Sequence, residues 1–456
     1  MRIHILGICG TLMGSIALLA KQQGHVITGS DQNVYPPMSE QLERAGITLQ
    51  APYSPTSIPK IVDLVIIGNA NLGRGNPAVE ALLNSDVAFC SGAEYLGRYL
   101  LDNKWVVAVA GTHGKTTSAS MIAWILEYAG LSPGFLIGGI PANFQHSARL
   151  SDSDFFVIEA DEYDTSYFDR RSKFLHYQPR TIVLNNLEFD HADIFENLEA
   201  IQQQFHLLIR SVPGNGQLIL PEDDKALNEV IAQGCWTPQV RFSSKQDSKA
   251  EIRASVISAD GSKFKVTVAD QYQGTINWNL TGQHNVYNAC AAIAAARHVG
   301  VPPAVAIQGL NEFKGVKRRM ERLIDLPHLK LYDDFAHHPT AIQTTLEGLR
   351  AQVGGATIVA LIEPGSATMR KGIHGKQLIV ATKAADQVFW MQPGNVEFQL
   401  SKLLPESGHR LFTDSHALIQ AVQQLATETK NELHLIMMSN TSFDGMAKKL
   451  LGTLSQ

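Results

Sequence analysis

Trp105 to Thr117 reads WVVAVAGTHGKTT, and the rest of the chain is arranged around it. Val106 to Ala110 is an apolar, β-branched run of the kind that forms a buried strand. Gly111-Thr112-His113-Gly114-Lys115-Thr116-Thr117 follows. From Ser118 to Tyr128, Met121, Ile122, Ile125 and Leu126 recur at helical spacing, and Gly130 suits the stop. Strand, glycine-rich turn, Lys-Thr and helix in that order make a phosphate-binding loop. The glycines let backbone N–H groups turn onto phosphate oxygens, and the helix N-terminus adds partial positive charge. In that role Lys115 reaches the outer phosphates and the Thr116 hydroxyl holds Mg²⁺. The spacing is the short GxxGKTT form, because the longer pattern wants a glycine where Val109 stands. An ordinary turn with a surface lysine is the plainer explanation, and the strand-to-helix context argues against it. A nucleoside triphosphate site anchors the reading.

A length of 456 residues is enough for about three domains. Lys+Arg 38 against Asp+Glu 43 leaves a net charge of −5, so no strong basic field points to nucleic acid. Cys9, Cys90, Cys235 and Cys290 are scattered without a CxxC pair, which excludes a zinc knuckle or a disulfide scaffold and fits a reducing compartment. RIHILG opens directly as a strand with no leader pattern, and no apolar run is long enough to span a membrane. A cytoplasmic protein is the expectation.

Ile3 to Gly7 reads as a strand, followed by Ile8-Cys9-Gly10-Thr11-Leu12-Met13-Gly14, a helix over 14–23, and a second strand, His25 to Gly29, closing on Ser30-Asp31. This is the first βαβ unit of a dinucleotide-type fold, with Asp31 placed where a ribose hydroxyl would be met. Glycines stand at 7, 10 and 14 but Cys9 breaks the fingerprint, and a tight turn for close helix packing explains the glycines equally well. A third strand, Asp63 to Ile67, leads to Gly68-Asn69-Ala70, and Gly97 to Lys104 reads as a linker. The first domain is expected over 1–103.

The second domain is expected over 104–317. Phe155 to Ile158 is a strand ending in Glu159-Ala160-Asp161-Glu162, and Thr181 to Leu184 one ending in Asn185-Asn186-Leu187-Glu188-Phe189-Asp190-His191. Carboxylates at the carboxyl ends of parallel strands face the same crevice as the phosphate loop. Glu159 is thus a natural metal ligand beside Thr116, and His191 could complete a shell. Residues 214–280 alternate short apolar runs with polar turns, as an antiparallel layer would. Thr281 to Ala289, TGQHNVYNA, is a polar lead-in to a small-residue helix over 291–296. The third domain, 318–456, alternates strand and helix again: Lys330 to Tyr332 ends in Asp333-Asp334-Phe335-Ala336-His337-His338-Pro339, and Leu433 to Met438 ends in Ser439-Asn440. The fold class is α/β: a Rossmann-like N-terminal domain, a central P-loop ATPase-like domain and a C-terminal Rossmann-like domain.

GTHGKTT, EADEYD, NNLEFDHAD, TGQHNVYNA, KRRME and DDFAHHPTA, in this order, resemble the Mur ligase family, which joins amino acids or peptides to UDP-N-acetylmuramate with ATP. ICGTLMG, SDQNVYPPM, ANFQHSAR and FDRRSKF look closer to the branch that adds the tripeptide L-alanyl-γ-D-glutamyl-meso-diaminopimelate, in cell-wall recycling, than to the branch that adds L-alanine. The alanine-adding activity is the alternative. The resemblance implies ATP phosphates at Gly111, Thr112, His113, Gly114, Lys115, Thr116 and Thr117. It implies one Mg²⁺ on Thr116 and Glu159 and a second on His191. Asn285 would meet the adenine, and Arg319 and Asp334 would complete the nucleotide site. Lys115, Glu159, His191 and His337 would carry the chemistry. Gly10, Thr11, Leu12, Met13, Ser30 and Asp31 would take the UDP-sugar. Arg170, Arg171 and Lys173 are the expected cations for the acceptor's extra carboxylates.

Three departures from the family pattern stand out. No lysine occurs from His191 to Arg210, where some members carry a carbamylated one; Gln202-Gln203-Gln204 stands there, so no carbamate is expected. Glu363-Pro364-Gly365-Ser366 lacks the arginine of Glu-Pro-Arg-Ser, and Thr441-Ser442 replaces a Gly-Gly pair after Ser-Asn. A UDP-sugar oxidoreductase built on the first domain would have no use for the loop at Lys115, and a non-catalytic nucleotide-binding regulator would bind ATP without substrate-dependent ADP release.

Overall fold

The computed structural model describes residues 1–456 apart from 35–37, 70, 71, 393, 395, 406, 455 and 456. Tyr35-Pro36-Pro37 of the SDQNVYPPM motif and Ala70 after the third strand therefore lie outside the described residues. Three large sheets follow one another along the chain, and a fourth, two-stranded one pairs Asp164–Ser166 with Asp169–Ser172.

The first is a five-stranded parallel sheet in the order Thr48–Gln50, Val26–Ser30, Arg2–Leu6, Leu64–Ile67, Phe89–Ser91. Chain order reverses at Arg2–Leu6, and the helix Thr11–Gln22 rises from the strand's carboxyl end. That switch point is where an open α/β sheet offers a crevice. The helix begins at Thr11, earlier than the sequence spacing implied, because Gly10 in extended backbone already caps it. Gly14 is needed for packing: a Cβ there would lie 2.2 Å from Met38 Sδ.

The central sheet has ten strands. Trp105–Ala110 is flanked by Thr181–Leu184 and Phe155–Glu159, both parallel to it. All three are nearly continuous buried apolar runs, as strands covered on both faces must be. Gln217–Pro221, Gln239–Ser243 and Ile252–Val256 extend the sheet in parallel, Lys263–Val268 and Gln271–Asn277 return antiparallel, and at the other edge Ala148–Arg149 pairs antiparallel with Gly134–Leu136. This corrects the antiparallel layer expected over 214–280. The helix Lys225–Ala232 makes a parallel crossover between the first two of these strands.

Two helices cover one face of the central sheet. Lys115–Tyr128 packs along Gln283–His298, where Ala289, Ala291, Ala292, Ala294, Ala295 and Ala296 are all buried and let the two backbones approach. The polar lead-in from Gln283 is itself the first turn of this helix. The first half of the expected linker over 97–104 is helical, a wide turn at Leu96–Leu100 that extends Gly92–Tyr95.

The third sheet has six strands in the order Glu321–Leu326, Leu329–Asp334, Leu433–Met438, Thr357–Ile362, Gln387–Met391, His409–Phe412. The first pair is antiparallel and the rest parallel. Just past the carboxyl ends of Leu329–Asp334, Thr357–Ile362 and Leu433–Met438, the residues Phe335, Gly365 and Asn440 line one cavity together with residues of the central segment. No helix among the described residues is long and apolar enough to cross a membrane.

Candidate active site

The strand Trp105–Ala110 delivers Gly111 at φ +135° and Gly114 at φ +77°, conformations that a side chain strains. Space forbids one as well: a Cβ on Gly114 would lie 2.5 Å from Asn288 Oδ1 and 2.8 Å from Asn185 Nδ2. Those amides, with Ser118, form a buried network beneath the loop, Ser118 Oγ donating to Asn288 Oδ1 at 3.1 Å. The loop is thus held from below, and no side chain caps the N-terminus of the helix that follows.

Lys115 Nζ donates to Gly111 O at 2.7 Å and to Glu162 Oε2 at 2.8 Å. Burial alone would lower its pKa, but Glu162, Asp161 and Glu159 raise it overall, so the ammonium is firmly charged. Thr116 Oγ1 donates to Glu159 Oε1 at 3.0 Å, and Arg319 from the third domain donates to the same hydroxyl at 3.2 Å. Glu159 Oε2 accepts from Gly138 N at 2.7 Å. A Cβ on Gly138 would lie 2.9 Å from that oxygen, so the glycine leaves room for the carboxylate. The Thr116–Glu159 pair expected from sequence is in contact.

His191, in left-handed backbone at φ +56°, turns its Nε2 onto Glu162 Oε1 at 2.8 Å. Burial pulls its pKa down, and the Glu162 carboxylate more than reverses this, holding it above the ordinary imidazole value. Asp161, Glu162 and His191 each offer a ligand atom within 4.8 Å of the others. Hard carboxylate oxygens dominate both this set and the Thr116–Glu159 pair, which is the donor chemistry that Mg²⁺ takes. Asp161 and Glu162 were not singled out from sequence; a second and third carboxylate directly past the strand end was the available signal. Glu162 is 2 % exposed in its side chain, and its partners are Lys115 and His191.

The third domain closes the mouth. Thr340 Oγ1 donates to Glu188 Oε2 at 2.8 Å, Thr368 Oγ1 to Asp190 Oδ1 at 2.6 Å, and Lys371 Nζ to Ala192 O at 2.9 Å. His113 Nε2 and His338 Nδ1 stand 3.2 and 3.3 Å from the same Glu188 oxygen. Burial raises the Glu188 carboxyl, but His113, Thr340 and His338 bring it down to about 2. His337 has Nδ1 2.8 Å from Phe335 O and Nε2 3.9 Å from Asp190 Oδ2, and burial lowers its pKa to about 4. Asp334 is buried, accepts from Met320 N and Ala336 N at 2.8 Å each, and has its pKa raised by burial.

A cavity of about 1030 Å³ joins all three domains. Thr112 to Thr117, Glu159, His191, Asn285, Arg319, Asp334 and His337 line it. Thr11 and Leu12 line it from the first domain, whereas Gly10, Met13, Ser30 and Asp31 do not. Ser30 is fully buried with Oγ 3.1 Å from His4 Nε2, and Met13 fills the space beside Gly92. Asp31 Oδ2 accepts from Cys9 N at 2.9 Å, so this carboxylate braces the turn preceding Thr11. The FDRRSKF cations divide. Lys173 lines the cavity and pairs with Asp161 at 3.0 Å. Arg170 and Arg171 stay 69% and 62% exposed, paired with Asp164 and Asp169, and do not line the cavity.

Family models match this chain in three consecutive segments: the Mur ligase family catalytic domain over residues 2–104, the Mur ligase middle domain over 109–296, and the Mur ligase glutamate ligase domain over 318–439. A protein of Escherichia coli K12 named UDP-N-acetylmuramate–L-alanyl-γ-D-glutamyl-meso-2,6-diaminoheptandioate ligase is 49% identical over 457 residues, covering 100% of this chain and 99% of that protein. A UDP-N-acetylmuramate–L-alanine ligase of Caldicellulosiruptor bescii is 33% identical, covering 79% of this chain and 76% of that one. The crystal structure of a murein peptide ligase from Psychrobacter arcticus superposes with a TM-score of 0.76 at 42% identity, covering 100% of this chain and 99% of that one. Three domain models in register with the three sheets, and relatives alike from end to end, place the chain in the Mur ligase family.

Proposed function

We propose that the chain is an ATP-dependent ligase that joins L-alanyl-γ-D-glutamyl-meso-diaminopimelate to UDP-N-acetylmuramate, in the cytoplasm, as a step of peptidoglycan recycling. The observation that carries the reading is the meeting of Lys115, Thr116, Glu159 and Arg319 across two domains, at one end of a cavity that reaches Thr11 and Leu12 of the first. A triphosphate site beside a second nucleotide-type fold suits a reaction in which one nucleotide is consumed and the other is the handle of the acceptor sugar. We take the domains to divide at 103/104 and 317/318.

The lactyl carboxylate of UDP-N-acetylmuramate attacks the γ-phosphorus of ATP, the bond to the β-phosphate oxygen breaks, and an acyl phosphate and ADP result. The free amine of the tripeptide then attacks the acyl carbon, loses a proton, and phosphate leaves. Phosphoryl transfer of this kind is mainly a matter of alignment and charge neutralisation. Lys115 leaves Glu162 for the outer phosphates, and the loop N–H groups hold the inner ones. One Mg²⁺ on Thr116 and Glu159 and a second on His191 with Glu162 would neutralise further phosphate charge. His337, neutral at physiological pH with Nδ1 engaged by Phe335 O, leaves Nε2 free to take the amine's proton. The Thr340, Thr368 and Lys371 contacts hold the third domain over the site, which keeps water from the acyl phosphate.

The test is coupled ADP release. The reading expects ADP only when ATP, Mg²⁺, UDP-N-acetylmuramate and the tripeptide are all present, with NADH absorbance unchanged under the same conditions. ATP binding without substrate-dependent ADP release would assign the chain a regulatory role instead.

A further inference from the structure

Two imidazoles and a carboxylate meet where the second domain joins the third, on residues distinct from those assigned to Mg²⁺. His113 Nε2 stands 3.2 Å and His338 Nδ1 3.3 Å from the same oxygen, Glu188 Oε2. The three atoms lie within 4.8 Å of one another, and the two rings are tilted at 43° with centroids 4.5 Å apart. His113 and Glu188 fall in the segment matched over 109–296 and His338 in that over 318–439, so an ion held by all three would bridge two domains.

Hydrogen bonding alone does not satisfy this cluster. Thr340 Oγ1 already donates to Glu188 Oε2 at 2.8 Å. His113 Nε2 brings a second donor to that oxygen, which fills its two lone pairs. His338 Nδ1 accepts from Thr340 N at 3.3 Å, as the cap of the helix Pro339–Val353, so it has no proton to give Glu188. A ring nitrogen and a carboxylate oxygen thus stand 3.3 Å apart with no proton between them. A cation there would bond to both, at the expense only of the long cap bond. Ligand atoms bound to a tetrahedral Zn²⁺ at about 2.0–2.1 Å stand about 3.3 Å from one another, which matches the two separations from Glu188.

The ligands are braced from behind. Thr112 Oγ1 donates to Glu188 O at 3.2 Å and accepts from Glu188 N at 2.9 Å, and His113 N donates to Asn186 Oδ1 at 2.8 Å. His374 packs edge-on against His338, centroids 4.5 Å apart, and its buried Nε2 has no hydrogen-bond partner among the described residues. His113 and Glu188 line the cavity, which gives an ion a way in. Two imidazoles and one carboxylate suit a borderline ion, whereas Mg²⁺ takes oxygen.

We propose that His113, Glu188 and His338 form a transition-metal site that takes Zn²⁺ and ties the second and third domains together. The site stands apart from the ligase reading and does not depend on it. Co²⁺ tests it on the full chain without nucleotide, because this ion occupies zinc sites and absorbs strongly in the visible when its coordination is tetrahedral. Strong bands are expected, bleached by Zn²⁺ and not by Mg²⁺, and Zn²⁺ should raise the melting temperature. His113→Ala and His338→Ala should each weaken Co²⁺ by at least roughly 100-fold and abolish the rise, each read against the same variant without metal. Thr340→Val keeps the three ligands and loses the bond that orients Glu188, so it should weaken Co²⁺ roughly 10- to 100-fold. His191→Ala should keep the bands. A native chain without strong bands, bands that survive in both histidine variants, or bands that vanish in His191→Ala would overturn the assignment.

Discussion

Lys115 is charged, buried and held by Glu162 at 2.8 Å, and in the proposed reaction a phosphate displaces that carboxylate. Replacing it with alanine removes a charge-assisted contact that costs about 1.5–3 kcal/mol in the ground state, and more where charge develops in transfer. Lys115→Ala should therefore abolish ADP formation while calorimetry still detects UDP-N-acetylmuramate binding; near-normal turnover would remove the role assigned to the loop. Glu159 and His191 separate by the same logic. Glu159 touches Thr116 and is a charged oxygen donor, whereas His191 is an imidazole already paired with Glu162. In the proposed roles Mg²⁺ depends more on the former. Glu159→Gln should raise the Mg²⁺ concentration needed for half-maximal rate far more than His191→Ala, and a titration giving the reverse order would mean that the two roles are exchanged. Thr116 with Glu159 was legible in the sequence because each follows a strand whose apolar run is unmistakable. Glu162 as the partner of Lys115, and Arg370 on the third domain, were not: side chains three and five residues past a turn take directions that only the folded backbone fixes.

At the scale of elements, the helix Gln283–His298 is built from alanines so that Lys115–Tyr128 can lie close against it. Ala292 is fully buried in that contact. Ala292→Leu overpacks it and should destabilise the protein by about 1–3 kcal/mol, read by denaturant unfolding. Because the helix also carries Asn285 and Asn288, the ATP concentration for half-saturation should rise with the same substitution. An unchanged midpoint would show that the contact has slack. The sequence displayed this helix by composition but not its start, since Gly282 at φ +91° opens it in backbone that no spacing reports. Likewise the strand run over 217–256 looked antiparallel from its short periods. The crossover helix Lys225–Ala232 that makes the first of those pairings parallel is only two turns long, too brief for its apolar stripe to be distinguished from strand alternation.

At the scale of the whole molecule, three sheets face one cavity, and the join between the second and third domains is rich in histidine. Burial lowers His284 and His337 to about 4 and His338 to about 3. In the unfolded chain these groups titrate near 6.5, so between those values the unfolded state binds more protons. The stability they permit is whole above about pH 6.5 and is lost as pH falls toward about 4. His191 runs oppositely, since its pKa is raised in the fold: its contribution is present at low pH and fades as pH rises through the folded value. Three depressed groups outweigh one raised group, so the melting temperature should fall from about pH 7 to about pH 5. His338→Gln should flatten the fall, and a melting temperature that rises on acidification would contradict this account of the interface. At the third domain Gly365, Ser366 and Arg370 line the cavity. A site for L-alanine alone would be walled off just past the amine, whereas a peptide site must stay open and offer a cation. The most direct test of the central claim is kcat/KM for the tripeptide and for L-alanine, measured side by side with UDP-N-acetylmuramate and ATP saturating. The account predicts a clear preference for the tripeptide, and a clear preference for L-alanine would contradict it.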